Sequence, residues 1–228
     1  MINLIKSFQR YIIPTISSAK FDILFRLING KSVRVLDVGC GNHSAQSTKK
    51  IFPHCKYFGL DKSLDYNNTE EDFKLMEKFW LINLDESDFI EIPNAFFDVI
   101  IFSHVIEHLK RGERVIHKLA TKLKSNGLFY IEFPSYHTKS LPSLKRFGAT
   151  FNFYDDITHI KLYKKKNIVQ VLKNENFKIK KAKIYFNWKK LIFLPVLLAY
   201  QFSKQRLKCF HQLWWIVGWC TYIVAYKT

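Results

Sequence analysis

The chain has 228 residues, 48% of them apolar and 24% charged, which excludes global disorder and allows a full core without disulfide or metal staples. Its formal net charge is +17, from 36 Lys and Arg against 19 Asp and Glu. A charge of that size invites a polyanion: nucleic acid, an anionic membrane surface or phosphorylated ligands.

Leu4, Ile5, Phe8 and Ile12, then Phe21, Leu24, Phe25 and Ile28, recur at helical spacing. They predict an N-terminal helical arm over 1–30, stopped by Asn29-Gly30. Residues 33–38 form a β-branched run that enters Gly39-Cys40-Gly41, as a strand enters a glycine turn. Helical patterns then cover 44–52 and 70–79, and strands are expected at 56–60, ending at Asp61, and at 80–84, ending near Asp85. Residues 97–102 are continuously apolar, the mark of a strand buried on both faces. A helix is expected over 112–124 with Asn126-Gly127 as its stop, then a strand over 128–133 closed by Pro134. After a loop-like stretch, 164–174 is helical in pattern, and 177–186 alternates apolar and basic residues like a half-solvated strand. Residues 221–227 read as the last strand.

Strands alternating with helices imply a doubly wound α/β fold. Expected is a seven-stranded, mostly parallel sheet with an antiparallel last strand, an N-terminal helical arm, and a C-terminal helical insertion over 188–217. The charge is uneven. Residues 1–138 hold 18 basic and 16 acidic side chains, whereas 139–228 hold 18 and 3. The apolar runs near 191–200 and 213–226 are too short for a membrane span. With Trp188, Trp214, Trp215, Trp219 and flanking cations, residues 188–217 suit an interfacial helix on an anionic leaflet. The widely spaced Cys40, Cys55, Cys209 and Cys220 form no metal or disulfide framework and are read as reduced thiols of a cytoplasmic protein.

The strongest chemical signal is Asp37-Val38-Gly39-Cys40-Gly41. Glycines after a first strand let the backbone approach a ligand closely. Asp61 closes the second strand, where a carboxylate can accept both hydroxyls of a ribose. With Asn83-Leu84-Asp85, the run from Phe97 to Leu109, Lys124-Ser125-Asn126-Gly127-Leu128, and Asp156, His159, Tyr163, Leu172 and Asn176-Phe177, the order of motifs resembles the class I S-adenosylmethionine-dependent methyltransferases, in particular the ubiquinone/menaquinone-biosynthesis-like, small-molecule branch. The resemblance runs from about Lys31 to Phe177. His43 stands where that family has a third glycine, and Asn126 where its later turn has one.

The resemblance implies a Rossmann-like fold, S-adenosylmethionine as cofactor, and a cofactor site of Asp37, Gly39, Cys40, Gly41, Asp61, Lys62, Asp85, Ser103 and His104. It makes Asp98 a structural residue of the fourth strand. It makes His159 the preferred catalytic base, with Tyr136 and His137 as other candidates. His104-Val105-Ile106-Glu107-His108 also spells H-x-x-E-H, which on a helix would let His104 and His108 share a metal. The string falls in the family's fourth-strand motif, so no metal ligands are assigned, and modulation by a divalent ion is kept as an alternative. The implied activity is methyl transfer, most simply O-methylation, to a small-molecule or lipid-linked acceptor such as a quinone precursor or a surface-glycan sugar. An RNA methyltransferase and a non-catalytic cofactor-binding scaffold are the alternatives. The location implied is cytoplasmic, peripheral on the inner face of the membrane.

Overall fold

The computed structural model describes residues 18–147, 149–187 and 214–228. The first half of the 1–30 arm and residues 188–213 of the expected insertion lie outside the described residues. Seven strands form one sheet in the order β3-β2-β1-β4-β5-β7-β6. They are β1 (Arg34–Val38), β2 (Lys56–Asp61), β3 (Lys78–Leu81), β4 (Phe97–Ser103), β5 (Leu123–Pro134), β6 (Phe177–Ile184) and β7 (Cys220–Lys227). The first five are parallel to one another, and β7 runs antiparallel between β5 and β6.

Alternate side chains of the central strands face opposite ways, and each face is covered by helices. Val35, Tyr57, Val99, Ile101 and Tyr130 pack with α1 (Ala19–Ile28) and α2 (Ser44–Ile51). Leu36, Leu60, Ile100, Phe102, Phe129 and Ile131 pack with α4 (Gly112–Lys122) and α5 (Lys165–Asn174). Helix α1, the described part of the arm, is tied to the far side of the chain: buried Asp22 accepts the Tyr185 hydroxyl at 3.1 Å. Strand β6 buries Phe177 and leaves Lys178, Lys180, Lys181 and Lys183 exposed, as the alternating pattern predicts. Lysines along an edge strand also discourage pairing with another sheet.

Two boundaries differ from expectation. The helix expected over 70–79 is the short α3 (Glu70–Lys74), and β3 starts at Lys78 rather than Trp80. Pairing decides this: the Glu77 N–H is taken by the Tyr57 carbonyl at 2.8 Å, and Lys78 to Leu81 then register with Phe58 to Asp61. Phe79 packs edge-on against Phe73, at 5.3 Å between ring centroids. Likewise α4 ends at Lys122 and β5 already begins at Leu123. Leu123 pairs with Phe97 and Leu128 with Val99, so extra residues bulge between them, with Asn126 left-handed at φ 61°. Asparagine tolerates that conformation better than most residues. Asp98 is structural, as expected: it accepts the Arg34 N–H at 2.8 Å and pairs with Lys124.

Candidate active site

The glycine turn follows β1 and is hooked onto the end of β2. Gly39 and Cys40 both donate to the Leu60 carbonyl, at 2.7 and 3.2 Å. The Gly41 N–H donates to Asp61 Oδ2 at 3.1 Å, and Ser63 N–H to Asp61 Oδ1 at 3.3 Å. Gly39 sits at φ +77°, and a Cβ there would lie 2.3 Å from Val105 Cγ2. Only glycine fits that position. A Cβ on Gly41 would strike Tyr66, whose carbonyl accepts the Asn42 N–H at 2.7 Å.

Asp37 holds the turn from beneath. Its buried Oδ2 accepts Ser44 Oγ at 2.6 Å and the Tyr57 hydroxyl at 2.8 Å, and Lys20 Nζ lies 3.7 Å away. Asn42 and His43 are both left-handed, at φ 56°. A glycine would take that conformation at His43 without strain. The strain, on the order of 1 kcal/mol, is offset by a contact from His43 Nδ1 to buried Asp72 at 2.8 Å. Burial alone would raise the Asp72 carboxyl, but bonds from Thr69, His43 and Gln46 hold it below the usual range.

The remaining expected site residues divide by place. Asp61 is nearly buried beside Gly41, and Lys62 follows it on the surface. The Cys40 side chain is buried beneath the turn rather than displayed on it. Burial, reinforced by Asp37 and Asp61, pushes its thiol far above the ordinary range and removes it from thiolate chemistry. Asp85 accepts the Lys110 and Arg111 N–H groups at 3.3 Å each and so ties the 83–85 turn to the start of α4. Its own N–H donates to Asn83 Oδ1 at 3.2 Å.

Ser103 and His104 end β4 and meet a group that sequence reasoning missed. Glu132, buried on β5, accepts Ser103 Oγ at 3.2 Å and the Tyr130 hydroxyl at 2.7 Å. His104 lies between two carboxylates, with Nδ1 3.2 Å from Glu107 Oε1 and Nε2 3.3 Å from Glu132 Oε1. Burial disfavours its charge, but those two carboxylates outweigh it and raise the imidazole's pKa. Glu132 is in turn lowered, against its own burial, by His104 and Tyr130. The one sequence signal for Glu132 was a carboxylate inside an otherwise apolar strand. Trp214 and Trp219 stack at 3.9 Å beside the His104 ring, their indole N–H groups anchored on the Thr150 and Phe151 carbonyls at 2.7 Å each.

The helical reading of H-x-x-E-H is corrected. His104 is left-handed at φ 55°, and only Ile106–His108 form a tight 3₁₀ turn. His104 therefore turns to Glu107 and Glu132, while His108 turns away to Thr158. Across from it, the His159 side chain is 4% exposed, stacked on Phe153 at 4.6 Å and 4.9 Å from the His108 ring. Tyr136 is exposed under Lys139 and Lys164, whose charges lower its hydroxyl's pKa. His137 Nε2 donates to the Val217 carbonyl at 3.1 Å, which gives it a structural role.

A glycine turn latched to an acidic strand end, on a 3-2-1-4-5-7-6 sheet, is the geometry of a nucleoside-binding site at a topological switch point. The family model for the methyltransferase domain matches residues 8–182. The chain belongs to the methyltransferase-domain family. Solved structures share the fold. A S-adenosylmethionine-dependent methyltransferase from Archaeoglobus fulgidus is 20% identical, with 96% of this chain and 94% of that one covered and a TM-score of 0.60. A S-adenosylmethionine-dependent methyltransferase from Mesorhizobium loti is 14% identical over 91% and 96%, with a TM-score of 0.59. Phosphoethanolamine N-methyltransferase 2 of Haemonchus contortus, solved with phosphomonomethylethanolamine and S-adenosylhomocysteine, is 18% identical over 90% of this chain and 51% of that one, with a TM-score of 0.61. No curated protein matches the sequence.

The end of β2 fits the ribose of a nucleoside-bearing cofactor. Asp61 keeps accepting capacity there, since its Oδ1 takes one long bond. Among the described residues, no helix is long and apolar enough to cross a membrane.

Proposed function

We propose that this methyltransferase acts on a small-molecule or lipid-linked acceptor, and that the transfer is an O-methylation of a quinone precursor or of a surface-glycan sugar. The observation that carries the small-molecule reading is the group of aromatic and polar side chains gathered at the end of β4. It combines stacked Trp214 and Trp219 with His104, Glu132 and the His108–His159 pair. Such a mixture of flat apolar surface and a few fixed polar groups suits a small ring-shaped acceptor.

The cofactor supplies a methyl group already activated on a sulfonium. Asp61 would take its ribose hydroxyls, Gly39 and Gly41 would let the turn beside it pack closely on Val105 and Tyr66, and Asp37 would keep the turn in shape. Lys62, Asp85, Ser103 and His104 would complete the pocket, with Asp85 bridging to the 110–111 turn rather than standing free. Positioning then provides much of the acceleration. An acceptor hydroxyl must also lose a proton. His159 suits that task, because its Nδ1–H is fixed on the Phe153 carbonyl at 2.6 Å and Nε2 is left basic. An interfacial role for 188–217 on an anionic leaflet stays part of this reading.

The exposed lysines of β6, with Lys164, Lys165 and Lys173 near them, favour RNA as the second reading. Labelled methyl transfer into lysate fractionated into lipid, RNA and soluble pools separates the two. Label in the soluble or lipid pool is expected; label confined to RNA, with binding that falls steeply as salt rises, would replace the first reading by the second.

A further inference from the structure

Three side chains from two distant segments converge beside the end of β4. Glu107 and His108 come from the 106–108 turn and His159 from the loop before α5, and one candidate ligand atom from each lies within 4.8 Å of the others. The hydrogen bonds around them decide where their lone pairs are. Thr158 Oγ1 donates to Asp156 Oδ1 at 2.6 Å, so it meets His108 Nδ1, 2.9 Å away, as an acceptor. The Thr158 carbonyl accepts from the same nitrogen at 3.1 Å. His108 Nδ1 therefore carries the proton, and its Nε2 carries a lone pair. His159 Nδ1 donates to the Phe153 carbonyl, which leaves its Nε2 with a lone pair as well. Glu107 Oε1 accepts from His104, but Oε2 is buried and has no partner among the described residues.

The cluster thus offers two imidazole nitrogens and one carboxylate oxygen, all acceptors, and no donor. A buried carboxylate oxygen without a donor is unfavourable, because it has lost its water and gained nothing in return. A cation among the three removes that cost. We propose that Glu107, His108 and His159 bind a divalent transition-metal ion of the Zn²⁺ or Co²⁺ type. Two imidazoles and a carboxylate suit such ions rather than Ca²⁺ or Mg²⁺, which take oxygen ligands. Backbone carbonyls on the far nitrogens are the outer support that metal-bound histidines have. Asp156 extends that support, since it also accepts the Thr158 N–H at 2.9 Å. Atoms around one ion at ~2.1 Å sit about 3.4 Å apart, so side-chain rotations of roughly 1 Å complete the site. His104, the first histidine of H-x-x-E-H, is not a ligand. It holds Glu107 Oε1 and leaves Oε2 as the available oxygen.

Three protein ligands leave positions open, where the ion can take an acceptor hydroxyl and lower its pKa. That role rests on the methyl-transfer reading; the binding of the ion does not. With the ion in place, His159 Nε2 is a ligand, and the metal would acidify the hydroxyl so that its proton is lost to water instead of to His159.

The test uses the full chain after chelator treatment. It is titrated with CoCl₂, followed by visible absorption, and with ZnCl₂ by calorimetry. One ion per chain is expected. Glu107→Gln, His108→Gln and His159→Gln should each weaken binding by about tenfold or more. His117→Gln, which alters a surface histidine 2.8 Å from Glu175, should leave it unchanged. S-adenosylmethionine binding, measured without metal, reports separately on the methyl-transfer reading. Failure of folded wild type to bind either ion, or undiminished affinity in all three variants, overturns the proposal. Should Glu107→Gln not fold by circular dichroism, the two histidine variants decide.

Discussion

Asp61→Ala is the most direct test of the cofactor site. In the protein as it stands, the carboxylate accepts the Gly41 and Ser63 N–H groups at 3.1 and 3.3 Å from a position only 9% exposed. Both bonds are charge-assisted, and both vanish in the alanine variant. Removing bonds to an ionised group costs ~1.5–3 kcal/mol each, so the turn is loosened by a few kcal/mol at most, given its solvent edge. On the ligand side, two ribose hydroxyls lose an ionised acceptor. At ~1.5 kcal/mol for each, binding weakens by about 3 kcal/mol, or roughly 150-fold. Asp61→Asn keeps one oxygen for one of the two amides and should fall between. Calorimetry of S-adenosylmethionine against wild type and both variants, with folding followed by circular dichroism, reads the effect. An affinity of Asp61→Ala within threefold of wild type, in a folded protein, would refute the assignment of Asp61 to the ribose.

Gly39→Ala should destabilise the chain by about 2 kcal/mol or more, because φ +77° and a 2.3 Å approach to Val105 Cγ2 both oppose a Cβ. Adding Val105→Ala should recover part of the loss in a urea melt, and no recovery would place the cost in the backbone alone. Asp155 gathers the Leu144, Phe151 and Asn152 N–H groups and Ser143 Oγ, which hold its carboxyl below the usual range despite burial. Its folded pKa is depressed, so its contribution is present above the unfolded value of ~3.9 and fades as pH falls through the folded one. Asp155→Asn should therefore lower stability by about 2 kcal/mol at pH 7 and flatten the acid limb of the Tm profile below about pH 4, whereas a parallel shift at every pH would refute this. Tyr57→Phe removes a 2.8 Å bond to Asp37 and should cost about 1–2 kcal/mol in chemical denaturation, with no change there arguing that Ser44 alone holds the carboxylate.

Much of the fold could be read locally. The strands at 34–38, 56–61 and 97–103 coincide with β-branched or apolar runs, and Gly39 and Asn126 mark turns where the backbone leaves the ordinary regions. The starts of β3 and β5 could not be read this way, because partner strands set them. Lys78 enters β3 by pairing with Phe58, and Leu123 enters β5 by pairing with Phe97 across a bulge. The cofactor half of the site was legible because Asp37, Gly39, Gly41 and Asp61 follow strand ends at fixed short spacing. The other wall was not. Glu132 meets His104 across 28 residues of chain, and His108 meets Thr158 across 50.

By itself, then, the sequence determined the order of elements, the glycine turn with its acidic partner, and the family. These are properties of neighbouring residues, where backbone sterics and hydrophobic periodicity act directly. It also concentrated the +17 charge in the C-terminal part, which the structure carries in part as a row of exposed lysines on edge strand β6. Only the tertiary structure decided that H-x-x-E-H is split, with His104 turned to Glu132 and His108 turned to Thr158. A left-handed residue at the end of β4 sends the two histidines apart, and no spacing rule for a helix survives that turn.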